Sequence, residues 1–297
     1  MNGSRIRPRP GEYAAPPLAR ARQRLTPAGA LVLLAGVLVA TPAAAQDQGS
    51  VSVAIDGTTV KLSTVTYKPT GDGPFATLIY HHDEGLERPY DDPKVIAHWL
   101  VARGWAVTAV FRRGRSGSEG DNKEGSISGP ACTEAGAAEF ADRALVDIEA
   151  ATPALVAQPF VDGSRIAVGG HGRGGALSVA WSGKHPEVRA VINFVGGWIG
   201  RTCRYSRAIN LNLLKRGVTG KQPSLWLYGD RDLFLPLEDT KANFDAFLAA
   251  GGKAVWHNYK SPEDKWDGHE IDQMPQLWGA DMEAYLAERG LPFKHAN

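Results

Sequence analysis

The sequence predicts an α/β fold: a mostly parallel, twisted sheet with helices on both faces and an N-terminal antiparallel hairpin. From residue 75 onward, short apolar segments alternate with amphipathic segments of roughly 10–20 residues, a pattern typical of βαβ units. Before them, two β-rich segments flank Asp56-Gly57, a dipeptide that favours a tight hairpin turn. Together these observations predict a parallel sheet that carries an antiparallel edge.

The individual elements follow from local patterns. The segment 92–103 has apolar residues three or four apart, which indicates a helix, and 174–184 reads as a helix that ends before Pro186. Residues 198–220 are irregular or form a short helix, and we expect them to form a small cap over a site. Strands are predicted at 51–55, 59–67, 75–82, 106–111, 165–169, 188–195, 224–228 and 254–259, and the other helices at 134–157, 237–250 and 273–289.

The first 45 residues have the organisation of an export signal. Six arginines form a basic leader, residues 28–40 are an uncharged apolar run, and Ala43-Ala44-Ala45 fits a small-residue cleavage site. The apolar run has 13 residues, fewer than the roughly 20 that span a bilayer. We therefore predict a signal peptide over residues 1–45 and export to the periplasm or the medium. An uncleaved membrane anchor is the alternative.

Composition excludes some partners. Apolar residues make up 43% and charged residues 22%, as in ordinary globular proteins. The leader holds six of the 33 basic residues and one of the 32 acidic residues, so residues 46–297 carry a net charge of −4. This mild acidity gives no electrostatic footprint for nucleic acid and leaves no basic cluster to hold an anionic membrane. We predict a single α/β domain over residues 46–297, without a stable membrane anchor after cleavage.

The chain has two cysteines, Cys132 and Cys203. In an exported protein an even count permits a disulfide, which we favour over two free thiols. No cluster of Cys and His has the spacing of a metal site, so no metal is expected.

A glycine-dense turn follows the strand predicted at 165–169 and precedes a helix. This is the context of the nucleophile elbow, whose motif is G-x-S-x-G. Aligned to that motif, Gly170-His171-Gly172-Arg173-Gly174 places Gly172 where the nucleophilic serine belongs. No serine of the chain satisfies the motif; Ser116 is a near miss, in a loop without the strand–turn–helix frame. Gly170, Gly172 and Gly175 match the bare pattern of a dinucleotide site, but the acidic residue that such a site needs about 20 positions on is missing.

Polar residues also follow two later strands. Asp230 and Asp232 come after the strand at 224–228, and His269 comes after the last strand. A carboxylate here can orient an imidazole that acts as a base; we favour Asp232 for this role. The alternatives are that the carboxylates cap a helix or face solvent and that His269 is a surface histidine. The order elbow, acid, histidine is that of α/β-hydrolases.

These segments resemble the α/β-hydrolase superfamily, in particular its dienelactone-hydrolase-like and acyl-peptidase-like branch. The resemblance spans about 51–291 and includes Phe111–Gly120, which looks like that branch's R-G-x-G-x-S-x-G loop. It implies the α/β-hydrolase fold and a Ser-His-Asp site with Gly172 at the nucleophile position, Asp232 and His269. Such a site needs no metal and no organic cofactor.

The resemblance also implies an oxyanion hole. One donor is the backbone N–H of Arg173, and the other belongs to the loop after the third strand, where we choose Asp83. Trp198 and Phe234 are predicted to line the substrate pocket, although both could simply cover the core. A Cys132–Cys203 bridge would pin the cap above the cleft.

Three functions remain open. The first is a hydrolase lineage that cleaves a small ester, lactone or amide, with activity lost or very low because Gly172 replaces the serine; Gly172→Ser alone is then expected to create activity. The second is a binding module that holds a small acyl compound without turnover. The third is a structural or interaction domain. The retention of Asp232 and His269 favours the first. The oligomeric state is not predicted.

Overall fold

A long hairpin forms one edge of the sheet. The computed structural model describes residues 45–84, 93–122, 124, 132–260, 262 and 266–293. Asp56 (φ 52°) and Gly57 (φ 74°) make the predicted two-residue turn, and Ile55 pairs with Thr58 across it. Two consecutive positive φ angles are those of a type I′ turn, whose twist matches the flanking strands. The strands are β1 (Ala45–Ile55), β2 (Thr58–Lys68), β3 (Phe75–His81), β4 (Trp105–Val110), β5 (Val161–His171), β6 (Ala190–Phe194), β7 (Ser224–Gly229) and β8 (Ala254–Tyr259).

The described residues form an eight-stranded sheet in the order β1-β2-β4-β3-β5-β6-β7-β8. β2 is antiparallel to both β1 and β4, and all pairs from β4 to β8 are parallel. The predicted fold class is therefore confirmed. The predicted leader lies outside the described residues apart from Ala45, where β1 begins. Among the described helices, none is both long and apolar enough to cross a membrane.

Helices cover both faces of this sheet. α1 packs against α6. On the other face, α4 contacts α2, α3 and α5, and α2 also contacts α3. Trp278 of α6 packs on Phe194 of β6, and Phe247 of α5 packs on Trp226 of β7. Because helices shield both faces, β4, β6 and β7 are buried at every position. The helices are α1 (Lys94–Val101), α2 (Glu134–Val156), α3 (Arg173–Ser182), α4 (Ser206–Leu214), α5 (Leu237–Ala249) and α6 (Pro275–Glu288), with 3₁₀ turns at Lys215–Gly217 and Gly268–Gln273.

A disulfide joins Cys132 to Cys203, as predicted, with 5.8 Å between their Cα atoms. It ties the residue before the N-cap of α2 to the segment that leads into α4. Asn210 of α4 accepts hydrogen bonds from the backbone N–H groups of Trp198 and Ile199. The start of the predicted cap segment is thus held in place by a bridge and by one buried amide side chain.

Candidate active site

The elbow has the backbone of a nucleophile turn. Gly172 joins β5 to α3 with φ 50° and ψ −116°, a conformation that is strained for residues with a side chain. Its N–H donates to the carbonyl of Phe194, and its own carbonyl accepts from the N–H of Gly197. Gly170 and Gly174 lie so close to the backbone of His81 that neither has room for a Cβ. The turn between β5 and α3 is therefore tight and glycine-lined, and position 172 carries no side chain.

The carboxylate of Asp83 lies directly above Gly172. Its Oδ1 accepts a hydrogen bond from the backbone N–H of Arg173 at 2.7 Å. Its Oδ2 lies 3.4 Å from Nε2 of His269. A Cβ built on Gly172 would overlap this carboxylate. The side chain of Asp83 thus takes the space that a serine side chain would occupy.

The position of the Asp83 side chain bears on two expectations, the oxyanion hole and the effect of a serine at position 172. Asp83 was expected to contribute a backbone donor to an oxyanion hole, but its side chain accepts the hydrogen bond from Arg173, the other expected donor. A carboxylate at this point would repel a developing oxyanion, and the assignment of Arg173 and Asp83 as oxyanion donors stays a prediction. A serine at position 172 would also meet the carboxylate of Asp83, which would have to move away from the new side chain.

Asp232 and His269 lie together at the carboxyl edge of the sheet. His269 Nδ1 is 2.9 Å from Asp232 Oδ2, and the side chain of Asp232 is almost fully buried. Oδ1 of Asp232 accepts from the backbone N–H groups of Phe234 and Leu235, at 2.8 Å each. Of the two carboxylates proposed for this role, the structure places Asp232 against the imidazole.

A second carboxylate holds the histidine loop. Asp267 Oδ1 accepts from the N–H of His269 at 3.0 Å and from the N–H of Leu233 at 3.1 Å. It therefore joins the loop after β8 to the loop after β7. Burial would lower the pKa of His269, but hydrogen bonds to Asp232 and Asp83 outweigh burial and raise that pKa well above its usual value. Burial would likewise raise the pKa of Asp83, yet the hydrogen bond from His269 and the nearby His171 lower it.

His171 is a site residue that the sequence prediction did not include. Its ring centre lies 4.8 Å from that of His269. His171 Nε2 lies 2.7 Å from the carbonyl oxygen of His269, and His171 Nδ1 lies 3.7 Å from Asp83 Oδ2. Its place in the elbow motif, next to Gly172, was the available signal. Ligand atoms of Asp83, His171 and His269 lie within 4.8 Å of one another, so these residues could hold a metal ion.

Arg112 is a second residue that the prediction missed, and it fixes the loop that carries Asp83. Its guanidinium makes two hydrogen bonds to the buried carboxylate of Glu124, at 2.6 and 2.8 Å. It also donates to the backbone carbonyls of His82 and Asp83. The signal was the Arg-Gly loop after β4, although nothing in its sequence pattern identified the partner of Arg112.

A cleft of about 400 Å³ opens beside these residues, and both predicted pocket residues line it. Trp198 is buried, and the guanidinium of Arg173 lies 4.8 Å from its ring centre. Phe234 is 55% exposed, and its ring lies 4.8 Å from that of His269. The cleft is therefore lined by aromatic rings and by charged side chains. The contribution of Trp198 and Phe234 to substrate binding stays a prediction.

The chain matches the model of the dienelactone hydrolase family over residues 62–262. Comparison with curated proteins gives no match. Among solved structures, a Klebsiella pneumoniae protein provisionally assigned as a dienelactone hydrolase is similar, with a TM-score of 0.55 and 19% identity over 82% of this chain and 99% of that one. An esterase from Pyrococcus furiosus has a TM-score of 0.59 and 15% identity over 82% of this chain and 90% of its own.

A larger protein shares the same fold. It comes from Bacteroides ovatus, is provisionally assigned as a dipeptidyl aminopeptidase IV, and has a TM-score of 0.61 at 16% identity. The match covers 82% of this chain but only 36% of that protein. At these identities the likeness shows the fold, while the family match indicates hydrolase ancestry.

Proposed function

The chain belongs to the dienelactone hydrolase family, and we propose that it is a slow hydrolase of small carboxylic esters, lactones or amides in which water takes the place of the serine nucleophile. The observation that supports this most is the Asp232–His269 pair, with 2.9 Å between the two side chains, beside an elbow that has no nucleophile. An imidazole oriented by a carboxylate can activate water as well as a hydroxyl.

The expected rate is low for two reasons. Without a nucleophile at position 172, the reaction cannot be divided into acylation and deacylation. Removal of the nucleophile from a serine hydrolase costs about a factor of 10⁶ in kcat and leaves roughly 10³ over water. Part of that residual catalysis comes from an oxyanion hole, whose position here is occupied by Asp83. We therefore expect turnover without a burst.

The cleft favours a small substrate. Its volume of about 400 Å³ is at the lower end of ligand pockets. Trp198 and Phe234 would contact the apolar part of the substrate, and the carbonyl would lie towards His269. We further propose that residues 1–45 direct export to the periplasm or the medium. The Cys132–Cys203 disulfide is compatible with an oxidising compartment.

A second candidate is a binding module for a small acyl compound. The observation that favours it is the hydrogen bond from Arg173 to Asp83, because an acyl oxyanion would have to displace this carboxylate. Such a module would show thermal stabilisation by ligand without turnover.

The test is hydrolysis of p-nitrophenyl acetate by the purified protein and four variants. The wild type is expected to hydrolyse the ester slowly and without a burst, and His269→Ala is expected to remove this activity. The control, His257→Ala, changes a histidine on β8 that pairs with Asp281 and should leave the rate unchanged.

The remaining variants separate the nucleophile from the carboxylate that fills its place. The double variant Asp83→Gly/Gly172→Ser is expected to show a burst and faster turnover, and Gly172→Ser alone much less, because only the double variant gives the serine room. If His269→Ala is as active as the wild type, activation of water by His269 is excluded. If the wild type is inert, slow hydrolysis is excluded and the binding module takes its place.

A further inference from the structure

Hydrogen-bond partners determine which ring nitrogens of His171 and His269 carry protons. Nε2 of His171 faces the backbone carbonyl of His269 at 2.7 Å, so this nitrogen is the donor. Nδ1 of His269 faces the carboxylate of Asp232 at 2.9 Å, so Nδ1 is the donor there. In the neutral imidazoles, the opposite nitrogens therefore carry lone pairs.

Both lone pairs point to the same carboxylate oxygen. His269 Nε2 lies 3.4 Å and His171 Nδ1 lies 3.7 Å from Oδ2 of Asp83. The other oxygen of Asp83 is held by the N–H of Arg173. Ligand atoms of Asp83, His171 and His269 thus converge within 4.8 Å of one another. In the absence of a cation, a proton on His269 Nε2 joins that nitrogen to Asp83 Oδ2.

We propose that Asp83, His171 and His269 bind a divalent transition-metal cation of the zinc class at the base of the cleft. Two imidazoles and one carboxylate form a common ligand set of catalytic zinc, with an open fourth position. Zinc–ligand distances of about 2.0–2.2 Å in a tetrahedral site separate the ligand atoms by roughly 3.3–3.5 Å. The distances to Asp83 Oδ2 are close to this, and all three ligand atoms lie within 4.8 Å.

The surroundings are those that orient metal ligands. Metal-binding histidines usually donate their other N–H to a carboxylate or a backbone carbonyl. His269 does the former, with Asp232, and His171 does the latter, with the carbonyl of His269. Asp272, buried and 3.6 Å from His171 Nε2, adds negative charge close to the three ligands. Sequence spacing could not reveal this site because its members come from three separate segments: the loop after β3, the end of β5 and the 3₁₀ turn after β8.

A proton on His269 Nε2 would compete with the metal ion for this nitrogen. It would form an ion pair with Asp83 and would satisfy the same oxygen that the metal needs. The other charged groups at this point are Glu84 and Glu270, which line the cleft, and Arg173, whose guanidinium is paired with Glu84.

This inference deepens the proposed function, on which it rests for its chemistry alone: His269 would bind the cation through Nε2, and the cation rather than the imidazole would activate the water. A bound cation would lower the pKa of a water molecule at its open position and so supply the nucleophile that Gly172 lacks. The water would lie in the cleft, next to the proposed carbonyl position. Binding of the cation itself requires no turnover.

The test is isothermal titration of zinc chloride into the full chain after treatment with a chelator. We expect a stoichiometry of one and a dissociation constant in the micromolar range or below. His171→Ala and Asp83→Ala are each expected to weaken binding at least tenfold. His257→Ala, which changes a histidine–carboxylate pair on β8, is the control and should bind like the wild type. Thermal unfolding verifies that each variant is folded.

Absence of stoichiometric binding by the wild type would overturn the inference, as would equal binding by wild type and His171→Ala. Ester hydrolysis that depends on His269 but persists in chelator would support the proposed function and show that the cation does not activate the water. Zinc binding without hydrolysis would support the metal site and overturn the slow hydrolase.

Discussion

At the scale of single residues, Asp83 and Gly172 have to be considered as a pair. The glycine removes a side chain from the elbow, and the aspartate brings a carboxylate into the same space from a different loop. Arg112 makes this possible because it holds the backbone of His82 and Asp83 from below while Glu124 balances its charge. The chemistry of the site thus depends on a buried ion pair that does not itself face the cleft.

Arg112→Ala is expected to destabilise the protein by about 3–5 kcal/mol, because it leaves the carboxylate of Glu124 buried without its counter-ion. The measurement is urea-induced unfolding of wild type and variant. Arg216→Ala is the matched control: its pair with Asp142 is exposed and should contribute at most about 1 kcal/mol. Equal losses in the two variants would contradict a special role for the Arg112–Glu124 pair.

Some site residues could be predicted from the sequence because of where strands end. Gly172, Asp232 and His269 follow β5, β7 and β8, and the carboxyl ends of parallel strands meet at one edge. The side chain of Asp83 could not be predicted in the same way. Its position depends on contacts between residues about 30 positions apart, such as that from Arg112 to His82, and no local pattern contains them.

At the scale of elements, the sequence predicted the eight strands and the helices α1, α2, α3, α5 and α6, with differences at their ends. The 3₁₀ turn Gly268–Gln273, which carries His269, was not predicted. β6 was predicted at 188–195 but ends at Phe194, because Val195 turns out of the strand with φ 43°. β5 was predicted at 165–169 and extends to Val161–His171, because its first residue pairs with Phe75 of β3. Pairing with a distant strand is a tertiary effect that local propensity does not register.

The Cys132–Cys203 bridge belongs to this scale because it connects two elements. It spans 71 residues of sequence, and in the chain-entropy model a loop of that length corresponds to about 4 kcal/mol of stability. We expect Cys132→Ser/Cys203→Ser to have a clearly lower unfolding temperature than the wild type. Reductant should lower the unfolding temperature of the wild type towards that of the double variant and leave the variant unchanged. If reductant does not change the unfolding temperature of the wild type, even after incubation of the unfolded protein with reductant, the bridge is absent.

At the scale of the whole molecule, the sequence predicted a parallel sheet with an antiparallel hairpin, and this is confirmed. The order of the strands was not predicted. β4 lies between β2 and β3. The chain therefore leaves the sheet after β3, forms α1 and returns as β4 on the side of β3 that faces β2. Such an order is decided by which apolar faces are covered, and that depends on the complete set of helices rather than on any one segment.

Stability of the whole molecule in acid should depend on Glu124. Burial opposes ionisation of Glu124, but Arg112 outweighs burial and lowers the pKa from 4.5 to about 2. A lowered pKa in the folded state means that its stabilisation is complete above pH 4.5 and is lost as the pH falls towards 2. This loss corresponds to about 3 kcal/mol.

The measurement is the free energy of unfolding of wild type and Glu124→Gln between pH 6 and pH 2, a window that contains both pKa values. The variant is expected to be less stable near neutrality and to have the flatter profile in acid. Glu139→Gln, on the exposed side of α2, is the control and should follow the wild-type profile. Parallel profiles for wild type and Glu124→Gln would contradict the assignment.

The bare elbow also determines how this protein responds to reagents designed for its relatives. Fluorophosphonates label hydrolases through a bond to the oxygen of an activated serine, and position 172 offers no such oxygen. A survey that identifies active hydrolases by this labelling would therefore not detect the chain through position 172. Detection of the proposed activity would depend instead on its substrates, its products or the proposed bound ion.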